Sequence, residues 1–218
     1  MQVAGEKKPY LGVFSSRIAP TSPRMIPPEV VLEAYRMGLF PMSMEDGELG
    51  WFSPDPRGLI PLDDRFHVSR SLRKELRRGK LRVSFDTVFE DVMRGCAERE
   101  STWISEDIFE TYTHLFHQGV GHCAEVWEEG ELVGGLYGIS IGGAFFGESM
   151  FSRVTNASKV ALVTMVERLR DCGYVLFDTQ WSTSHLKTFG CIDMPRDEYL
   201  ELLVDAVEIE IDFDPSGG

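Results

Sequence analysis

The sequence predicts an α+β fold with a mixed sheet flanked by helices, and three consecutive segments in the middle of the chain indicate it. Two apolar stretches, residues 132–141 and 144–152, are typical of strands and are joined by the turn signal Gly142-Gly143. A helix follows, with apolar residues near helical spacing, and it ends at Gly173. A short apolar strand then ends in the polar run Asp178-Thr179-Gln180.

Polar groups at the ends of these strands predict where the chemistry takes place. Glu148 lies on the second strand of the hairpin, and Asp178 and Gln180 close the last strand. Residues i and i+2 of an extended strand point to one face of a sheet, so Asp178 and Gln180 are placed to cooperate. We therefore expect Glu148, Asp178 and Gln180 to form the catalytic centre.

The beginning of the chain predicts a small N-terminal domain. Residues 1–27, rich in proline, serine and basic residues, are expected to form a loosely held arm. Proline at the start and glycine at the end predict a helix over residues 28–38. Two prolines stiffen the loop 51–57, and residues 58–62 are typical of a short strand. The predicted domains are therefore residues 1–64 and residues 65–218.

Helices of the larger domain are predicted where a capping residue precedes a segment of helical periodicity. Four positions have such a residue: Ser69, Asp86, Ser105 and Asn156. Strands are expected at 81–85 and 123–127, and the second of them forms a hairpin with the central segment. Helices near 184–189 and 195–207 follow. Alternating apolar residues over 207–213 are consistent with a final edge strand.

Composition limits the class of protein. The chain has 218 residues and 43% hydrophobic content, which is ordinary for a globular protein. It contains no apolar run long enough for a membrane span and no secretory signal pattern, so we expect a cytoplasmic protein. The four cysteines and five histidines show no metal-ligand or redox spacing. We expect no metal, no cofactor, no membrane contact and a monomeric chain.

Charge is distributed unevenly along the chain. The net charge is −13, yet residues 65–82 contain eight basic residues and one acid, for a local charge of +7. Such a segment favours contact with a polyanion, although a solvated helix face is the alternative. The candidate anion-binding residues are Arg70, Arg73, Lys74, Arg77 and Arg78.

Other candidate groups carry less information. Ser149 lacks the second glycine of a G-x-S-x-G nucleophile elbow, which argues against a serine hydrolase. Four aromatic residues lie near loops or helix caps, where they either stack on a nucleic acid base or belong to the core. They are Tyr35, Trp51, Trp103 and Tyr112.

The order of strands, helix and strand resembles the acyl-CoA-dependent N-acetyltransferase fold, in which a glycine-rich turn before the helix holds the donor pyrophosphate. The corresponding segment here, residues 152–159, contains no glycine. The backbone site for a diphosphate is therefore missing. If the architecture is shared, we expect an acyl donor other than CoA.

Six short motifs resemble the leucyl/phenylalanyl-tRNA–protein transferases, and they occur in the family's order over roughly residues 28 to 200. The run from Gly147 to Arg153 is close to diagnostic. The others are Tyr35 to Pro41, Trp51 to Arg57, Thr102 to Ile104, Gly134 to Gly138 and Asp178 to Gln180.

The resemblance implies a cytoplasmic enzyme that moves leucine or phenylalanine, and less well methionine, from aminoacyl-tRNA to a protein's N-terminal arginine or lysine. The product is a degradation signal read by the N-degron pathway. The resemblance also implies a catalytic domain similar to the N-acetyltransferases. An aminoacyl-tRNA-dependent transferase with a different amine acceptor and a non-catalytic binding module are the alternatives.

The family pattern also implies roles for individual residues. Glu148, Asp178 and Gln180 match its polar catalytic residues. Trp103 and Tyr112 match aromatic residues around the terminal adenosine, and Tyr35 matches a tyrosine near that site. Trp51 and Met42 are further substrate-binding candidates, and Met42 stands where many members have tryptophan. The residues implied to line the pocket for the transferred side chain are Leu136, Phe145, Met150, Met165 and Phe177.

Aminolysis of an ester requires positioning of the amine, a proton acceptor and stabilisation of the oxyanion, with no covalent enzyme intermediate. We expect the side-chain carbonyl oxygen of Gln180 to hold the attacking amine, and we expect Asp178 to polarise the Gln180 side chain. Glu148 is expected to hold the N-terminal region of the acceptor. The basic helix is expected to contact tRNA phosphates rather than base edges.

Overall fold

The computed structural model describes residues 25–44, 46–99 and 102–214, so most of the arm predicted over residues 1–27 lies outside it. The helices of the described residues are α1 (Pro28–Arg36), α2 (Arg70–Arg78), α3 (Phe89–Ala97), α4 (Glu106–His117), α5 (Ala157–Cys172), α6 (Ser184–Lys187) and α7 (Arg196–Ala206). The strands are β1 (Phe40–Ser43), β2 (Leu49–Phe52), β3 (Arg57–Ile60), β4 (Arg82–Phe85), β5 (Gly121–Glu128), β6 (Glu131–Ile141), β7 (Ala144–Ser152), β8 (Leu176–Gln180) and β9 (Ile192–Met194).

A seven-stranded sheet in the order β4-β5-β6-β7-β8-β3-β9 organises the molecule. β7 and β8 are parallel, and Phe146 pairs with Asp178 between them, whereas the other neighbours are antiparallel. The predicted α+β class with a mixed sheet is therefore confirmed. β1 and β2 form a separate hairpin. The domain boundary at residue 64 stays a prediction, and β3, which precedes it, is paired inside the large sheet.

Helices cover both faces of the sheet. Successive residues of a strand point to opposite faces, so its apolar side chains form a core on each side. Leu136 and Phe145 belong to a core cluster that contains α5 and Leu72 of α2. Their neighbours Tyr137 and Phe146 belong to the opposite cluster, which contains residues of α1, α3, α4 and α7. Of the helices in the described ranges, none is long and apolar enough to cross a bilayer.

Two of the four predicted helix caps are confirmed. The hydroxyl groups of Ser69 and Ser105 accept hydrogen bonds from the backbone N–H groups three residues later, at 3.3 Å and 3.4 Å. Asn156 stands at the start of α5 but has a left-handed backbone and makes no side-chain cap bond. Ser152 of β7 accepts the Ser158 N–H at 3.2 Å instead.

The prediction that Asp86 caps α3 is wrong, because Asp86 is used by the neighbouring strand. Its carboxylate accepts the Cys123 N–H and contacts His122 Nδ1, both at 2.7 Å. The helix begins later, and the buried Glu125 of β5 accepts the N–H groups of Thr87 and Val88 at 2.7 and 3.0 Å. A carboxylate from a strand thus satisfies the free donors at this helix start.

The final edge strand expected over residues 207–213 is also wrong, because β4 and β9 are the edges of the sheet. Phe213 is buried against the ring of His122, with centroids 3.9 Å apart, and its carbonyl oxygen faces the Cys172 thiol at 3.2 Å. The alternation of apolar residues therefore reflects anchoring of the terminal segment on the core rather than strand pairing.

The predicted turn between β6 and β7 is confirmed, and its sequence has a steric reason. Gly142 has a φ of 57°, and a Cβ atom there would lie 2.4 Å from the carbonyl oxygen of Val207. Only glycine therefore allows the chain after α7 to pass across this turn.

Candidate active site

Irregularities in two neighbouring strands position the predicted catalytic residues. The pairing of β7 with β6 passes from Gly147 directly to Ser149, which makes Glu148 the extra residue of a β-bulge. The pairing of β8 with β3 skips Thr179 in the same way, and Gln180 has a left-handed backbone with φ 59°. Bulges redirect side chains next to active sites, and here they bring Glu148 and Gln180 together.

The Glu148 carboxyl group is in contact with polar groups from three elements. Tyr35 of α1 donates to Oε1 at 2.6 Å, and the Gln180 Nε2 donates to the same oxygen at 3.2 Å. The Tyr112 hydroxyl of α4 lies 3.5 Å from Oε2 and shares a short hydrogen bond with the Tyr35 hydroxyl. Because Nε2 is used, the Gln180 amide keeps its Oε1 as an acceptor for another group.

The pKa of Glu148 is raised to about 8, chiefly because burial disfavours the charged form. The Tyr35 hydrogen bond and the positive Arg57 lower this pKa, whereas the negative Asp178 raises it. Peptide α-amines have pKa values of about 7.7–8.0. The carboxyl group and an incoming amine are thus matched for exchange of a proton.

This raised pKa predicts a pH-dependent stability. The folded protein holds a proton on Glu148 that the unfolded chain loses near pH 4.5. Relative to Glu148→Gln, the wild type is therefore expected to lose unfolding free energy as the pH rises from about 4.5 to about 8, by up to about 1.4 kcal/mol per pH unit. Urea unfolding of both proteins at several pH values measures this difference. A difference that stays constant across the range would contradict the raised pKa.

Asp178 is held by a different set of partners. Arg57 donates from Nε to Oδ1 at 2.9 Å and from Nη2 to Oδ2 at 2.6 Å. Tyr199 of α7 donates to Oδ2 at 2.7 Å, and the backbone N–H of Gln180 donates to Oδ1 at 2.8 Å. Arg57 and Asp178 are both 0% exposed. Asp178 therefore contacts Gln180 through the backbone N–H of Gln180, and both of its carboxylate oxygens already accept hydrogen bonds from the protein.

Arg57 connects the N-terminal segment to this centre. Its Nη1 donates to the Gly38 carbonyl oxygen at 2.9 Å, and its guanidinium lies between the rings of Phe40 and Tyr199, 5.1 and 4.6 Å from their centroids. Sequence reasoning identified the rigid loop that ends at Arg57 but assigned the arginine no role. Its ion-pair partner lies 121 positions away, which local sequence patterns do not show.

A pocket of about 470 Å³ opens beside Glu148 and Gln180. Five residues expected to contact substrate line it, namely Met42, Trp103, Leu136, Met150 and Phe177. Gly147 allows the walls to approach, because a Cβ atom there would lie 2.7 Å from the Phe177 ring. Sequence reasoning missed other wall residues, including Phe40, Arg99, Leu162 and His185. Two of them carried a signal: Phe40 lies within the Tyr35 to Pro41 motif, and Leu162 is one of the apolar positions of the predicted helix.

The remaining predicted residues lie outside the pocket wall. Tyr35 and Tyr112 are fully buried behind Glu148, and Phe145 and Met165 are fully buried in the core cluster around α5. Trp51 is half-buried on β2, where it packs against the opposite cluster. Their roles as substrate contacts stay predictions.

The basic helix is exposed as the sequence predicts. Leu72 faces the core, and Arg78 forms an ion pair with Glu75 at 3.1 Å. The five candidate side chains are exposed on α2: Arg70, Arg73, Lys74, Arg77 and Arg78. Contact with a polyanion stays a prediction.

Comparison with known proteins agrees with this architecture. The family model for leucyl/phenylalanyl-tRNA protein transferase matches residues 59–204, and the model for the N-terminal domain of the same family matches residues 24–55. Leucyl/phenylalanyl-tRNA–protein transferase of Herpetosiphon aurantiacus is 49% identical over 87% of this chain and 99% of its own length. The protein of the same name from Gloeobacter violaceus is 48% identical over 85% of this chain and 96% of its own.

Among solved structures, a ribosomal-protein-alanine N-acetyltransferase from Brucella melitensis biovar Abortus 2308 is similar over 49% of this chain and 86% of its own. The sequence identity is 11% and the TM-score is 0.36. The two family models together match most of the chain, and the relatives are similar over nearly their whole length. The chain belongs to the leucyl/phenylalanyl-tRNA–protein transferase family.

Proposed function

We propose that this protein transfers leucine or phenylalanine, and less efficiently methionine, from aminoacyl-tRNA to the N-terminal arginine or lysine of acceptor proteins. The product would be a substrate of the N-degron pathway. The observation that carries the proposal is an apolar pocket of about 470 Å³ with a carboxyl group and an amide on its wall. Because the donor is aminoacyl-tRNA, we place the reaction in the cytoplasm, and we expect the monomer to be active.

The reaction is an exchange of an ester for an amide. The acceptor nitrogen forms a bond to the ester carbon, and the bond from that carbon to the ribose oxygen of the tRNA breaks. The nitrogen loses one proton, and the ribose oxygen gains one. Gln180 Oε1 is proposed to accept a hydrogen bond from the attacking amine, which orients its lone pair towards the carbon.

The ionised form of Glu148, whose population rises as the pH approaches 8, is proposed to take the proton and return it to the leaving oxygen. Both carboxylates of the centre were candidates, but they differ in access. Asp178 is 0% exposed and accepts hydrogen bonds from Arg57, Tyr199 and the Gln180 backbone. Glu148 is partly exposed on the pocket wall. A general base must come within hydrogen-bond reach of the proton it removes, and this requirement favours Glu148.

The apolar wall is proposed to bind the transferred side chain. Leu136, Met150, Leu162 and Phe177 supply hydrocarbon and thioether surface without charge. A flexible methionine adapts to different apolar shapes, which accounts for use of both leucine and phenylalanine. One methylene in such a pocket changes binding by only about 1–3 kcal/mol, so rejection of isoleucine and valine is expected to be incomplete.

A transfer assay tests the proposal directly. The protein is incubated with radiolabelled Leu-tRNA and peptides that begin with Arg or Lys, and the products are identified by mass. One added leucine residue at the N-terminus is expected, and an N-acetylated copy of each peptide is expected to remain unchanged. Transfer only to small-molecule amines would indicate a different acceptor, and no transfer to any amine would reject the proposed function.

The exposed basic face of α2 predicts a salt-dependent contact with tRNA. Changing Arg73, Lys74, Arg77 and Arg78 to glutamate is expected to weaken binding of all tRNAs, because phosphates carry no sequence information. The slope of log K against log salt is negative, and each lost phosphate contact reduces its magnitude by about 0.7–0.9. Arg94→Glu on α3 is the control and should leave the slope unchanged. An unaltered slope in the α2 variant would indicate that the basic face of this helix contacts solvent and not tRNA.

A further inference from the structure

His185 lies on the wall of the same pocket, five residues after Gln180. It belongs to the short helix α6, and its ring packs edge-on against Phe189 with centroids 5.5 Å apart. Its Nε2 is buried and has no hydrogen-bond partner among the described residues. An unpaired buried polar atom on a pocket wall costs free energy that a bound ligand can recover.

The surroundings of His185 favour the neutral form of its imidazole. Burial lowers the pKa of His185, and the positive charge of Lys159 on α5 lowers it further. A neutral imidazole keeps a lone pair on one nitrogen and a proton on the other. Nε2 can therefore accept one hydrogen bond from a ligand N–H group when the proton is on Nδ1.

Other polar side chains of the wall already have partners. Thr179 donates to the Gly58 carbonyl oxygen at 3.1 Å, and Thr183 accepts the Leu186 N–H at 3.2 Å. The Ser149 hydroxyl accepts from Arg99 at 2.8 Å. Gln180 donates from Nε2 to Glu148, and its Oε1 is already assigned to the amine of the acceptor peptide. His185 Nε2 is thus the buried acceptor that remains for the donor substrate.

The donor substrate brings one polar group that the proposed mechanism leaves without a partner. The Cα of the aminoacyl moiety carries the side chain, which fits the apolar wall, and the ester carbonyl, which belongs beside Glu148 and Gln180. It also carries an α-amine, which has an N–H in both of its protonation states. Building on the proposed function, we infer that His185 Nε2 accepts a hydrogen bond from the α-amine of the aminoacyl-tRNA.

His185 is then a substrate-binding residue that favours donors with a free α-amine in the correct configuration. It would fix the rotation of the aminoacyl group about the Cα, so that the ester carbon faces the acceptor. Loss of the hydrogen bond is expected to reduce kcat/KM. The side chain of the transferred amino acid still binds in the pocket, but it does not by itself orient the ester carbon towards the acceptor amine.

A cycle of two enzymes and two donors tests the inference. The donors are Leu-tRNA and tRNA acylated with 4-methylpentanoic acid, which is leucine without its α-amine. The enzymes are the wild type and His185→Phe, which keeps a flat ring against Phe189. Loss of either partner of the hydrogen bond is expected to lower kcat/KM roughly tenfold to a hundredfold. Loss of both should cost no more than loss of one.

Two further variants complete the design. His185→Gln, which retains an acceptor, is expected to recover part of the preference for the donor with the amine. His117→Phe on the exposed surface of α4 is the control and should behave as the wild type. Because the ratio of the two donors is measured on one preparation, it does not depend on the fraction of folded enzyme.

An equal fall in kcat/KM for both donors in His185→Phe leaves the wild-type preference for the donor with the amine unchanged. That result would overturn the inference. Failure of the proposed function is distinguishable, since the wild type would then transfer neither donor to an Arg-initiated peptide.

Discussion

Glu148→Gln is expected to lower the rate of leucine transfer from Leu-tRNA to an Arg-initiated peptide by about a hundredfold or more, the range typical of a lost general base. Glutamine has nearly the same size, its Oε1 can still accept a hydrogen bond from Tyr35, and its Nε2 can donate to the Tyr112 hydroxyl oxygen, so the pocket keeps its shape. It has no carboxylate to take the proton from the amine. Single-turnover transfer at saturating Leu-tRNA measures the chemical step.

A matched control distinguishes this loss from a general effect of removing a charge. Glu90→Gln makes the same change at a partly exposed carboxylate of α3 outside the pocket wall. It is expected to transfer leucine at the wild-type rate. Transfer by Glu148→Gln within a few-fold of the wild type would remove Glu148 from the proton-transfer step.

Arg57→Met is expected to reduce the free energy of unfolding by about 3–5 kcal/mol, because it leaves the Asp178 carboxylate buried without its countercharge. The methionine side chain fills similar space between Phe40 and Tyr199 but cannot donate to either carboxylate oxygen. Urea unfolding followed by circular dichroism measures the change.

The double variant Arg57→Met/Asp178→Asn separates charge from packing. Removing both charges is expected to recover at least half of the lost stability, since no unpaired charge remains in the core. Arg65→Met, which breaks the exposed ion pair with Asp63, should leave stability nearly unchanged. A single variant as stable as the wild type, or a double variant no more stable than the single one, would contradict the role of this ion pair.

The elements from β6 to β8 were predictable because their signals are local. Apolar runs indicate the strands, Gly142 indicates the turn, and the glycine after α5 indicates the end of that helix. Each signal lies within a few residues of the feature that it predicts. The polar positions on the predicted strands singled out Glu148, Asp178 and Gln180, and the family motifs matched the same three residues. The proposed division of roles between the two carboxylates was not predictable, since it depends on the ion pair between Arg57 and Asp178.

Long-range pairing explains the remaining differences. Asp86 looks like a helix cap in the sequence, but Glu125 on the adjacent strand satisfies that helix start and Asp86 binds β5. The bulge that turns Glu148 towards Gln180 depends on how β7 is registered with β6. The unpaired Nε2 of His185 follows from the packing of α6 beside the pocket, and a single histidine in a sequence gives no sign of it.

We place the reacting ester beside Glu148 and Gln180, whereas Arg57 screens Asp178. An experimental structure with leucine joined by an amide bond to 3′-amino-3′-deoxyadenosine, a non-hydrolysable copy of the tRNA end, measures this arrangement. We predict that the leucine side chain contacts Leu136, Met150 and Phe177 and that its carbonyl carbon is nearer to Glu148 than to Asp178. A carbonyl carbon nearer to Asp178, or a leucine side chain outside the pocket, would contradict this prediction.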